Sequence, residues 1–302
     1  MSVIQRLTIS STSPFDFEST INSHGWVVLL PNIYLSETNS FSRVDQLPSG
    51  KIARLTIHPV GNKDKNQIGI NVETSTRISP ADEEFIIDSV WYMLRLGEDF
   101  GDFYRLCRKT GGAWKTFTKG KGRMLRSPSL FEDLVKVICT TNIQWGGTKR
   151  MVNELVNTYG FSFELHPDLK TFPLPDVIAR DSLADFKAKV RLGYRAEYIY
   201  GLAHAITRGD LNLISLKDPS IPTIEIKKAL KAIKGIGDYA SASMLMLLGR
   251  YDEIPVDTVF RDFMTEKYFP DRPYVKSDAL DIYKEWGKWK YLAYWFEMLE
   301  SD

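Results

Sequence analysis

Residues 230–263 read LKAIKGIGDYASASMLMLLGRYDEIPVDTVFRDF, and the architecture of the chain turns on them. A helical pattern in PTIEIKKALKAI (222–233) stops at Gly235-Ile236-Gly237 and resumes at once in YASASMLMLLG (239–249). Glycine tolerates positive φ and puts no Cβ in the way of an approaching group. Ile236, between the two glycines, is apolar and pins the turn to the core. After Gly237 the first N–H groups of the next helix lack intrahelical partners, and with the helix dipole behind them they favour an anion. A nucleic-acid phosphate fits this arrangement without any cationic side chain. A structural αα-hairpin looks the same locally, so two readings stand at this point.

Outward from that stretch, 302 residues suffice for two or three units with their own cores. No apolar run approaches the length needed to span a bilayer. The start, MSVIQRLTISSTSPFDF, lacks the basic-then-apolar pattern of an export signal. The expectation is an intracellular protein of the cytoplasm or nucleoid, with no membrane partner. Cys107 and Cys139 are the only cysteines, which excludes a disulfide framework and a four-cysteine iron–sulfur cluster. The net charge of +1 is uninformative, but its distribution is not. Arg105, Arg108, Lys109, Lys115, Lys119, Lys121, Arg123 and Arg126 fall in one stretch that contains no acid. It reads either as a solvated basic loop or as a phosphate-contacting surface.

The first 80 residues read as β. WVVLL (26–30), KIARLTIHPV (51–60) and QIGINVET (67–74) are candidate strands, and GNKDKN (61–66) predicts a hairpin between the last two. From residue 79 the periodicity becomes helical, with Ser79 or Asp82 as a cap. SPSLFEDLVKVICTTN (127–142) places Leu130, Leu134, Val137 and Ile138 on one face, with Ser127 or Ser129 as its cap. Helices follow over 147–160, 182–206 in two pieces, 222–233, 239–249 and 279–299. The predicted class is α+β: an N-terminal antiparallel β-domain, then an all-α helical bundle. The segments are 1–80, β-rich; 81–126, a helical linker packing with the C-terminal helices; and 127–302, the bundle. Within the bundle, 226–250 holds the hairpin and 251–261 the catalytic loop.

Leu230–Gly237, the small residues Ala240–Ala242, and Pro255-Val256-Asp257 together resemble the helix–hairpin–helix plus Gly/Pro/Asp signature of the DNA glycosylase superfamily. SLFEDLVKVICTTNIQW (129–145), FPLPDVIA (172–179), LGYRAEYI (192–199) and FDFESTINSHGW (15–26) are similar to segments of its 8-oxoguanine and alkyl-base (3-methyladenine DNA glycosylase II) branches. The likeness covers most of the chain and is weakest over 60–125.

This resemblance implies a monomeric base-excision-repair enzyme acting on double-stranded DNA that carries a damaged base. Hydrolysis of an N-glycosidic bond develops oxocarbenium character. An ionised carboxylate stabilises that charge and orients water. By resemblance that carboxylate is Asp257, whose place at a helix start would help keep it ionised; the alternative is an N-cap only. Tyr239 stands where strand-cleaving members carry a lysine nucleophile, and Lys234 precedes the hairpin, so the expected chemistry is monofunctional. Lacking that lysine, the chain is expected to excise alkylated purines. A cationic base would stack on aromatic residues; Tyr239, Trp145, Tyr194 and Tyr198 are the candidates, each with core packing as the alternative. Asn142 is the candidate wedge, with helix capping as the alternative. Gly235, Ile236, Gly237, Tyr239 and Lys234 complete the expected DNA contact. The family implies a Na+ or K+ ion at hairpin carbonyls 232–237, with no side-chain metal ligands. Val259 replaces a histidine common in the family, which favours the alkyl-base branch. The alternatives are a glycosylase for oxidised or deaminated bases and a non-catalytic DNA-binding protein with the same hairpin.

Overall fold

A computed structural model describes residues 2–61 and 66–299. Five strands, β1 (Val3–Ser10), β2 (Ile33–Leu35), β3 (Ser40–Gln46), β4 (Ile52–Pro59) and β5 (Gln67–Thr74), pair antiparallel in the order β1-β5-β4-β3-β2. The predicted hairpin is the β4–β5 pair, with Leu55 opposite Val72; its residues 62–65 lie outside the described residues. Ala53, Leu55 and Ile57 of β4 alternate inward with Ile68, Ile70 and Val72 of β5, and all are buried. That period of two gives the sheet its apolar face.

Three strands of this sheet, β1, β2 and β3, escape the sequence reading, and one predicted strand does not form. WVVLL (26–30) begins with a 3-10 turn over Gly25–Val28 instead. Its Trp26 is buried and donates its indole N–H to Asp133 Oδ1 at 2.8 Å, a bond that fixes the ring against a helix rather than in a ladder. β1 carries Gln5, Arg6 and Thr8 and has a mostly half-buried or exposed surface, so its apolar alternation is weak. β3 buries Arg43 and Asp45, which reads as surface sequence. The charges are satisfied in place: Arg43 donates to both oxygens of Asp45 and, at 2.9 Å, to Glu132 Oε2. Lys136 Nζ reaches Glu132 Oε1 at 2.6 Å.

The helices begin with α1 (Phe17–Ile21), α2 (Pro80–Met93) and α3 (Gly101–Thr110). Ser79 caps α2, and with Asp82 it forms a reciprocal capping box, so both candidate caps contribute. A 3-10 segment over Gly112–Lys119 follows α3. Ser129, not Ser127, caps α4 (Leu130–Thr140); every residue from Leu130 to Cys139 is buried, beyond the single apolar face expected. α5 (Trp145–Tyr159) ends at Gly160. A two-stranded hairpin, β6 (Ser162–Phe163) and β7 (His166–Lys170), then interrupts the part read as wholly helical. It packs on β3 and β4. α6 (Pro175–Ile178), α7 (Leu183–Lys189) and α8 (Arg195–Thr207) complete this unit, the last two being the pair expected around LGY.

Packing divides the chain into two compact units, Met1–Leu211 and Asn212–Asp302. This cut falls inside the segment read as one bundle, because the Arg43–Glu132 and Trp26–Asp133 bonds join α4 to the sheet's own unit. The second unit holds α9 (Thr223–Ala232), α10 (Asp238–Leu247), α11 (Thr258–Tyr268), α12 (Lys276–Asp281) and α13 (Lys290–Leu299). The single C-terminal helix expected over 279–299 is broken, since Gly287 adopts φ 54° inside the 3-10 segment Lys284–Trp289 that precedes α13. Among the described residues no helix is long and apolar enough to cross a membrane.

Candidate active site and nucleic-acid interface

In the second unit, Asp257 is the N-cap of α11, and its Oδ1 accepts the Phe260 N–H at 2.8 Å. The capping role is therefore real, with Oδ1 as the acceptor of the Phe260 N–H. The loop before it is anchored on both sides. Tyr251 stacks on Trp289 at 5.5 Å, and its carbonyl accepts the Tyr291 N–H at 2.9 Å. Ile254 and Pro255 are buried. This burial raises the Asp257 pKa above the ordinary aspartate value, and the N–H groups at the helix start only partly oppose it. The expected help of the helix start in keeping Asp257 ionised is present, since its N–H groups do favour the ionised form, but desolvation outweighs them.

Tyr291 and Tyr294 of α13, which the sequence reading did not single out, join the candidate site. Burial raises both phenols, and the charges of Asp257 and Tyr239 raise them further. Tyr291 and Tyr294 therefore each sit within electrostatic reach of both Asp257 and Tyr239. The Tyr294 ring also meets Phe260 edge-on at 4.9 Å. The only sequence signal for this was the aromatic density of α13, which reads equally as core.

The hairpin joins α9 to α10. Gly235 adopts φ 95°, which an L side chain would strain. Ile236 is buried, and its N–H bonds the Ile233 carbonyl at 3.0 Å, so it pins the turn as expected. Gly237 is different. Its φ of −90° suits any residue, and a Cβ there would meet nothing within 4 Å. No contact inside the unit requires glycine at that place. Gly237 has no side chain to cap α10, and the first helical bond runs from Ser241 N to Gly237 O at 2.9 Å. The N–H groups of Asp238, Tyr239 and Ala240 thus begin the helix without an intrahelical acceptor. Lys234 is exposed in the turn itself. Lys231 pairs with the exposed Asp238 at 2.7 Å and lowers its pKa. Tyr239, in the first turn of α10, is 38 % exposed, and it brings a phenol rather than an amine within electrostatic reach of Tyr291, which Asp257 also reaches.

In the first unit, Asn142 follows the last turn of α4 with φ 49°, a left-handed conformation. Its exposed side chain does not cap the helix; its amide nitrogen lies 3.5 Å from Tyr194 Oη. Arg195, 5 % exposed, donates to the Thr141 carbonyl and, at 3.4 Å, to that of Asn142. Its guanidinium lies over the Tyr194 ring at 4.5 Å. Burial pushes the Tyr194 phenol up, but hydrogen bonds to Asn142 and Thr141 and the Arg195 charge outweigh it and lower the pKa. Tyr198 meets Tyr194 edge-on at 5.6 Å. Asn142, Tyr194 and Tyr198 therefore form one cluster. Trp145 belongs to a different contact: its ring covers Gly25 so closely that a Cβ there would lie 2.5 Å from it.

Among the described residues no group of three or more His, Cys, Asp or Glu is placed to hold a metal ion. Cys107 and Cys139 are buried, which pushes each thiol up to about 12.

No protein-family model and no curated protein matches the sequence. Solved structures do match. A 3-methyladenine DNA glycosylase from Archaeoglobus fulgidus is 19 % identical, with 96 % of each chain covered and a TM-score of 0.72. The apo-form of an 8-oxoguanine glycosylase/lyase from Clostridium acetobutylicum is 18 % identical, with 99 % of this chain and 98 % of that one covered and a TM-score of 0.68. The same enzyme in complex with double-stranded DNA containing cytosine opposite 8-oxoguanine is 19 % identical, with 99 % of each chain covered and a TM-score of 0.64. The chain has the fold of these helix–hairpin–helix glycosylase structures.

Proposed function

We propose that the protein is a monofunctional DNA glycosylase that releases a damaged base, an alkylated purine by preference, by hydrolysing its N-glycosidic bond. The observation that carries this reading is Asp257. It is a half-buried carboxylate with a raised pKa, within electrostatic reach of Tyr291 and Tyr294, in the same unit as a hairpin whose Gly237 has open space before it. A carboxylate whose desolvation is only partly compensated is a candidate catalytic group. A purely structural cap gains nothing from such burial.

In this reading the α10 N–H groups and the hairpin take a backbone phosphate. Asn142 enters the duplex where the base leaves. Ionised Asp257 stabilises the developing positive charge at C1′, and the oxygen not bonded to Phe260 orients the attacking water. A base alkylated at N3 or N7 is already cationic and leaves readily, so no general acid is required. Tyrosine rings favour that cation through their faces. Tyr239 offers no amine for attack on C1′. A Na+ or K+ ion at the hairpin belongs to the same proposal, with main-chain carbonyls of 232–237 as its ligands. Asp238, the acid in that turn, is already paired with Lys231.

The test is to incubate wild type and Asp257→Asn with duplexes carrying alkylated, deaminated or oxidised bases, with and without borohydride. Free base released from the alkylated duplex by wild type alone, with no covalent adduct, is the expected result. Release from another duplex reassigns the substrate, a trapped adduct overturns the monofunctional chemistry, and no release from any duplex favours the binding protein.

A further inference from the structure

The eight basic residues of 105–126 do not act as one group. Arg123 is fully buried and donates to the Pro14 carbonyl at 2.9 Å and to Ser13 Oγ at 2.6 Å, while lying over Phe100 at 4.7 Å. Arg126 is buried, pairs with Glu98 at 2.6 Å and covers Tyr92 at 4.0 Å. Lys121 is half-buried beside the Phe117 ring. These three hold the fold together. Arg105, Arg108 and Lys109 of α3 and Lys115 and Lys119 of the following 3-10 segment are all exposed. Arg105 pairs with Asp102. Among the described residues Arg108, Lys109, Lys115 and Lys119 make no ion pair.

The five exposed cations lie on two consecutive elements of the first unit, α3 and the 3-10 segment, which pack on each other. At 100° per residue Arg105, Arg108 and Lys109 fall on one side of α3, within roughly 6 Å along its axis. Gly111 and Gly112 turn the chain at φ 80° and 54°, and a Cβ at either would meet nothing within 4 Å, so the main chain there is open to approach. The 3-10 segment is held from below: Trp114 and Phe117 pack at 5.0 Å, and Phe103 meets Phe117 edge-on at 6.0 Å. No acid occurs between Asp102 and Glu132. The helix dipole accounts for Arg108 and Lys109 at the end of α3, but not for Lys115 and Lys119. Like charges gathered on a fixed platform repel one another unless a polyanion meets them.

We propose that these two elements form a second phosphate-binding surface, which holds the backbone of undamaged double-stranded DNA without reading its sequence. Duplex DNA presents one charge per about 1.7 Å of axis, a density that suits several cations on two packed elements. The choice of DNA as occupant rests on the glycosylase reading; the surface itself does not use Asp257 or the hairpin.

The test compares wild type with the combined variant Arg108→Gln, Lys109→Gln, Lys115→Gln and Lys119→Gln. Binding to an undamaged duplex is titrated at several salt concentrations. Each lost phosphate contact lowers the slope of log affinity against log salt by about 0.9, so four lower it by up to about 3.6. A drop of about 1 or more, with the single-turnover rate of base release at saturating enzyme unchanged, supports the proposal. An unchanged slope overturns it, as does a loss of binding to RNA or to anionic vesicles that leaves duplex binding intact. Lys115→Gln with Lys119→Gln, both outside the α-helix, repeats the measurement if the fourfold variant does not fold. Wild type that binds duplex steeply with salt and releases no base overturns the glycosylase reading and leaves this surface standing. Base release with an unchanged slope does the reverse.

Discussion

The carboxylate of Asp257 accepts the main-chain N–H of Phe260 at 2.8 Å, so the same residue caps α11 and carries the proposed catalytic charge. Substitution can separate the two duties. Asparagine caps as well as aspartate, whereas alanine costs about 1 kcal/mol. Asp257→Asn should therefore not fall below the urea midpoint of wild type, while Asp257→Ala should fall below that of Asp257→Asn. Both should lose base release by about 100-fold or more, the scale of one removed transition-state electrostatic partner. Asp257→Asn with wild-type activity would refute the catalytic assignment.

Burial raises the Asp257 pKa, which fixes two signs. The proposed chemistry needs the ionised form, so base release should fall on the acid side with a midpoint above 3.8, and Asp257→Asn should lack that limb. For stability, the native state holds this proton more tightly than the unfolded chain. The contribution of Asp257 is therefore lost as pH rises from 3.8 through its raised folded value. The difference in stability between Asp257→Asn and wild type, measured by urea titration across that window, should grow in favour of the variant.

Glu132 carries the opposite sign. Burial pushes it up, but Arg43 and Lys136 outweigh that and hold it at about 2. Its contribution is present above the unfolded value of 4.5 and is lost as pH falls toward about 2. Glu132→Gln removes the negative charge that Arg43 and Lys136 share, and one of its two acceptor oxygens, and should destabilise by about 3–5 kcal/mol, the scale of a broken buried pair. A change below 1 kcal/mol by denaturant titration would contradict the network.

The two hairpin glycines should respond differently to alanine. Gly235→Ala forces an L side chain to φ 95° and should cost about 1–2 kcal/mol. Gly237→Ala meets neither strain nor a neighbour, so the melting temperature should stay put. Duplex binding should nevertheless weaken, since the new methyl stands where a phosphate is proposed to approach. Equal effects of both changes on stability would contradict this division.

Asn142 holds φ 49°, which glycine adopts freely and alanine does not. Asn142→Gly should match or exceed wild-type stability, and Asn142→Ala should lose about 1 kcal/mol. If the amide serves as the wedge, both variants lose activity on duplex DNA and keep it on a single-stranded substrate, where no base has to leave a stack. Equal losses on both substrates would count against the wedge.

The stretch Leu230–Asp257 was legible in the sequence because its determinants are local. Glycine conformations, the length of α9 and α10 and the cap at Asp257 all follow from neighbours within a few residues. The β4–β5 hairpin was legible for the same reason. The strand expected over 26–30 failed because Trp26 answers to Asp133, a partner 107 residues away. β3 was missed because Arg43 and Asp45 look like surface until Glu132 arrives to satisfy them. The basic stretch could not be sorted in advance, since nothing local distinguishes buried Arg123 from exposed Lys119. Tyr291 and Tyr294 likewise read as ordinary core until α13 places them within electrostatic reach of Asp257.

By itself the sequence determined the order of a β-rich part followed by helices around a glycine hairpin, and it singled out the carboxylate and the phenol of the proposed chemistry. Tertiary structure alone decided which way the Asp257 pKa moves, which phenols come within reach of it and which cations remain on the surface. The physical reason is one of range. Backbone conformation and capping are set within a turn or two, whereas desolvation and charge pairing depend on residues that only folding brings together.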